Sequence, residues 1–60
     1  MTDKERKLLY TGLASLDREI QRQHKGLIQT TDPMFREYMQ DIVDGCEFTK
    51  KVICALLGAE

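Results

Sequence analysis

Chemistry in this chain would have to begin with its carboxylates, its single histidine and its two cysteines. Glu37, Asp41 and Asp44 follow one another at steps of four and three, which on a helix places them on one outward stripe. Carboxylates so spaced can hold a divalent cation, or divide the roles of acid and base between them. No histidine joins them. His24 stands beside Gln23 at the edge of an apolar row, where it reads as a packed polar side chain rather than a ligand. Cys46 and Cys54 lie eight residues apart, a rise of about 12 Å on one helix. That span is too long for a disulfide within the chain, and Cys46 reads as a small buried hydrophobe. With one histidine, two distant thiols and no glycine-rich loop, there is no zinc pattern, nucleotide loop or nucleophile–base pair. The acidic stripe is therefore expected to be a solvated face. Neither catalytic, cofactor-binding nor metal residues are expected, and the chain is not expected to be an enzyme.

Binding is the better prospect, and charge is unevenly spread for it. Residues 1–29 carry six Lys/Arg against four Asp/Glu, a net of +2, and residues 30–60 carry three against six, a net of −3. Lys4, Arg18, Arg22 and Lys25, with Gln21, fall on the outward side of the first half. A row of this kind can contact phosphates. An overall pI near 5.8 argues against nucleic acid as the main target, because binding domains are usually far more basic. Phe48 interrupts an otherwise charged surface between Asp44 and Lys51, and an exposed aromatic can anchor a protein partner. Leu8 and Ile28 also lie off the main apolar row. Phe48, Leu8 and Ile28 are thus candidates for a protein contact, and Arg18, Arg22 and Lys25 for a charged one.

The elements that position these residues are two helices. Thr2-Asp3-Lys4-Glu5 fits a capping box, with Thr2 as N-cap and Glu5 reaching back. Leu9, Leu13, Leu16, Ile20, Gln23 and Leu27 then recur at steps of 4, 3, 4, 3 and 4. This predicts one helix over about 3–29, continuous through Gly12 because the row keeps its phase there. The chain turns at 30–32. Asp32 is a strong N-cap, and Pro33 suits the first helical position, where its missing N–H is no loss. Phe35, Met39, Ile42, Cys46, Thr49, Ile53 and Leu56 continue at steps of 4, 3, 4, 3, 4 and 3. They predict a second helix over about 33–57, with Gly58 as its stop. Tyr38, Val43, Val52 and Leu57 run beside that row, so its apolar face is wider than a two-stranded zipper needs.

A short turn makes the helices antiparallel neighbours, an all-α hairpin forming a single domain over 1–60. Folding at residue 31 sets Leu27 by Phe35, Ile20 by Ile42, Leu16 by Cys46, Leu13 by Thr49 and Leu9 by Ile53. Two helices cannot cover both faces, and Tyr38, Val43, Val52 and Leu57 would stay wet. The expected remedy is a homodimer through those four residues, two hairpins closing into a four-helix bundle. The opening Met1-Thr2-x-x-Glu5 with a basic residue after it, the heptad rows and the mid-chain turn resemble the Rop-type plasmid copy-control proteins. Those are dimers of small helical hairpins that bind paired RNA loops. The resemblance is one of shape, because their aromatic on the outer face of the first helix gives way here to Thr11, Ser15 and Arg18.

No apolar run approaches the ~20 residues of a membrane span. The start of the chain also lacks the apolar core of a signal peptide, and with free thiols this suggests the cytoplasm. Together these readings predict a small regulatory or interaction protein that binds a protein partner through its helical faces, inhibition being one form such binding could take. A dimeric nucleic-acid binder using the basic side of the first helix is the alternative.

Overall fold

The structure, a computed structural model, describes residues 1–59 as two helices, α1 (Asp3–Gln29) and α2 (Pro33–Gly58), packed against each other as a hairpin. Both starts are capped by side chains. The Thr2 hydroxyl accepts from the Glu5 N–H at 3.1 Å, and the Glu5 carboxylate accepts from the Thr2 N–H at 2.9 Å. The Asp32 carboxylate accepts from the Met34 N–H at 3.0 Å, with Pro33 in the first turn. α1 runs unbroken through Gly12 and Gly26.

The end of α1 has no basic residue in its last turn. Arg36 supplies one from across the turn, its guanidinium donating to the carbonyls of Leu27 at 2.8 Å and Thr30 at 3.3 Å. A cation there satisfies orphan carbonyls and complements the negative helix end. Gly58 is the last residue of α2 rather than a left-handed stop beyond it. No residue among those described has a positive φ, and the Ala59 N–H bonds the Ala55 carbonyl in ordinary right-handed geometry.

On α1 the residues turned inward are those of the expected row, from Leu9 through Leu27. α2 is rotated from expectation. Met39, Val43, Cys46, Lys50, Ile53 and Leu57 form its inward row, with Ile42 half-buried at one flank. Phe35, Thr49 and Leu56, expected inside, are exposed. Val43, expected at a dimer contact, is the most enclosed residue of the chain at 1% exposure, and Leu57 also turns inward.

Two local interactions explain the rotation. Gly12 and Gly26 lie along one flank of α1 and draw Ile53 and Met39 close. A methyl on Gly26 would come within 2.6 Å of the Met39 sulfur, and one on Gly12 within 3.9 Å of Ile53 Cδ1. On the other flank, Lys50 lays its stem along the helix pair while its ammonium donates to Asp17 at 2.6 Å. The register moves with it. Ile53 meets Gly12 rather than Leu9, about one helical turn from the expected pairing.

Candidate functional site

Rotation of α2 decides what the hairpin leaves bare. Phe35, Tyr38, Ile42, Gly45, Thr49, Val52 and Leu56 follow at steps of 3, 4, 3, 4, 3 and 4, a second heptad row beside the inward one. Apart from the half-buried Ile42, every member is exposed. At one end the Phe35 and Tyr38 rings pack on each other, centroids 6.2 Å apart and tilted by 52°. Near the middle, the Thr49 hydroxyl donates to the Gly45 carbonyl at 2.9 Å. Its polar atom is thereby satisfied within the helix, leaving the methyl to face outward. Phe48, 69% exposed, borders the row one turn beyond Gly45.

The α1 half of the same face is different in kind. Asp17 and Gln21 share a groove of about 430 Å³ with Glu47, Lys50, Lys51 and Cys54. Those residues mark one side of the hairpin, so Leu8, Gly12, Ser15, Glu19, Arg22 and Gly26 share the other side with the bare row of α2. This α1 row is small and polar, with Arg22 paired to Glu19 at 3.2 Å. Leu8 alone among its large side chains is apolar. The face is thus an apolar band along α2 beside a lower, polar shelf along α1.

The hairpin has a large surface for its mass. Its accessible surface is 4764 Å². A compact monomer of 6.9 kDa exposes about 4,000 Å² by the usual scaling. The excess, roughly 800 Å², matches what one partner contributes to a standard protein–protein interface. The shape agrees, at 45 × 15 × 11 Å. Only Met39 and Val43 are buried among the hydrophobic residues described.

The remaining candidates are scattered. Ile28 before the turn and Met34 after it are 83% and 81% exposed. Arg18, Arg22 and Lys25 are exposed, with Arg18 donating to the Ser15 hydroxyl at 3.3 Å. Glu37, Asp41 and Asp44 stand outward on α2, and Asp44 accepts from the Gln40 amide at 3.0 Å. No three His, Cys, Asp or Glu among the described residues come together to hold a metal ion. His24 is exposed rather than packed, Cys46 is half-buried and Cys54 is exposed, both thiols free.

In the opposite groove, the hydrogen bond and charge of Asp17 raise the Lys50 ammonium above its ordinary pKa. This ion pair bridges the two helices and fixes their rotation. Sequence reasoning missed Arg36 and the role of Lys50. The bare row was legible in principle, because it is a heptad as regular as the one chosen for the core. No helix among the described residues is long and apolar enough to cross a membrane. No known protein family, curated protein or solved structure matches the chain.

Proposed function

We propose that this chain is a non-enzymatic interaction module whose working surface is the bare face of α2, and that its first partner is its own copy. The observation that carries this reading is the regular heptad row from Phe35 to Leu56, exposed at every member but the half-buried Ile42. A solvated helix face has no reason to repeat apolar residues at heptad spacing, whereas a helix–helix interface requires it. Two hairpins joined over this face form a four-helix bundle, and the excess area of the lone hairpin is of the size such a contact removes. Tyr38 and Val52 keep the interface role expected for them. Phe35 and Leu56 take the places of Val43 and Leu57. The bundle leaves Ile28, Met34 and the basic residues Arg18 and Lys25 on its outside, available to a further protein contact.

Sedimentation equilibrium at micromolar concentration tests the reading, with a mass near twice 6.9 kDa expected. Phe48→Ala removes an aromatic bordering the strip. Such anchors contribute about 2 kcal/mol each and the dimer loses two, so association should weaken about a thousandfold. Replacing both Arg18 and Lys25 by Ala should leave association unchanged within about twofold, because exposed charges outside the contact act mainly on encounter rates. A single-chain mass for the natural protein overturns the proposal. So does retention on nucleic acid that falls steeply with salt and is lost when Arg18 and Lys25 are replaced.

A further inference from the structure

We infer that the two copies cross at Gly45, with α2 lying antiparallel on the α2 of the second copy and the two turns at opposite ends of the bundle. This rests on the self-association proposed above and says how the face is used. The starting point is a glycine that the hairpin does not explain. Gly12 and Gly26 each stand close to a side chain of α2, but a methyl built on Gly45 meets nothing within 4 Å. Gly45 also has an ordinary helical backbone, since no glycine among the described residues has a positive φ. Glycine is among the poorest residues for a helix interior, and nothing within the chain requires it at this position.

Its place in the row supplies the reason. Gly45 is the central member of the seven, ten residues after Phe35 and eleven before Leu56. In a two-fold dimer, only the residue on the axis meets its own copy. A glycine at that point lets the helix axes approach where any side chain would collide with its equivalent. Away from the axis the row is matched with itself in reverse. Phe35 and Tyr38 then lie over Leu56 and Val52 of the second copy, and Ile42 lies over Thr49. Thr49 can be covered because its hydroxyl is already bonded to the Gly45 carbonyl. Phe48, one turn from the crossing, fills the hollow over the second copy's glycine as a knob enters a hole.

The other two-fold arrangement, with both turns at one end, sets the apolar row of α2 on the α1 shelf. It would bury Glu19 and Arg22 under Ile42 and Tyr38, and covering an ion pair with apolar side chains is costly. The antiparallel crossing lays apolar on apolar and polar on polar.

Gly45→Leu tests the crossing. Leucine favours the helix and has open space in the hairpin, so far-UV circular dichroism should show helicity at least equal to that of the natural chain. The dissociation constant of the dimer should rise at least a hundredfold. A nitroxide on Thr31→Cys, in a chain with Cys46→Ala and Cys54→Ala, gives the arrangement independently. Pro33, where α2 begins, is twelve residues from Gly45, about 18 Å of helix, and Thr31 lies two residues beyond it, so the two labels should stand roughly 40 Å apart by electron–electron dipolar spectroscopy. Association of Gly45→Leu as tight as the natural chain, or a separation near 20 Å, overturns the crossing while self-association stands. A natural chain that stays a single copy overturns both.

Discussion

Val43→Ala separates the core of the hairpin from the surface it presents. Val43 is 1% exposed and the largest fully enclosed side chain. Truncation removes the equivalent of two buried methylenes, about 1.6 kcal/mol of transfer free energy. The cavity left between two helices cannot fully close, which brings the expected cost to about 2–3 kcal/mol per chain. A single core in a chain of this size rarely supplies more than about 3–5 kcal/mol, so the loss is a large share of the whole. At about 4–8 °C per kcal/mol for a small domain, the melting temperature should fall by on the order of 10–20 °C.

Val52→Ala makes the same chemical change nine residues along the same helix, at a side chain 45% exposed in the hairpin. Its effect should appear chiefly in the association constant. Melts followed at 222 nm at two protein concentrations, with sedimentation alongside, distinguish the two variants. A Val43→Ala protein that melts within about 2 °C of the natural chain would refute the observed rotation of α2, because a valine in the interface alone would behave like Val52.

Two further outcomes follow from caps and charges. Asp32→Ala removes the acceptor of the Met34 N–H and should cost about 1 kcal/mol, while Pro33→Ala should cost less because proline acts mainly on the unfolded chain; an unchanged melt for Asp32→Ala refutes the cap. The pKa of Lys50 is raised in the fold by its bond to Asp17, so its stabilisation is fully present below the unfolded lysine value of about 10.4. That contribution is lost as pH rises through the folded value. Melts between pH 9 and 12 should therefore show a steeper alkaline decline for the natural chain than for Asp17→Asn, and parallel curves would refute it.

What the sequence disclosed and what it withheld divide along a physical line. Local chemistry was readable. Thr2 with Glu5, and Asp32 with Pro33, act through groups three residues away or fewer, and each cap is present with the bond that its residue type implies. The inward row of α1 was readable because that helix has one apolar stripe. The facing side of α2 was not. Ile42 and Val43, Val52 and Ile53, and Leu56 and Leu57 are adjacent apolar pairs, so two heptad rows run side by side and periodicity cannot rank them. The choice is made by distant partners. Gly26 gives Met39 room, Gly12 admits Ile53, and Asp17 takes Lys50. None of these pairings leaves a mark in the pattern of α2 itself.

The same ambiguity explains why the bare row and the core share one helix. A wide apolar face cannot be satisfied by a single neighbour 8–10 Å away, since one contact covers only one stripe. Whichever row α1 takes, the other is left in water. The misassigned residues are therefore not scattered errors. Phe35, Thr49 and Leu56 changed places with Val43, Lys50 and Leu57, while Met39, Cys46 and Ile53 stayed inside, so the exchange amounts to a rotation of the helix about its axis. A heptad row with its threonine hydroxyl satisfied internally and a glycine at its centre has the properties of the helix–helix contact proposed above. The chain's stability and its binding then draw on the same helix, so substitutions along α2 should sort by row into those that unfold the hairpin and those that part the copies.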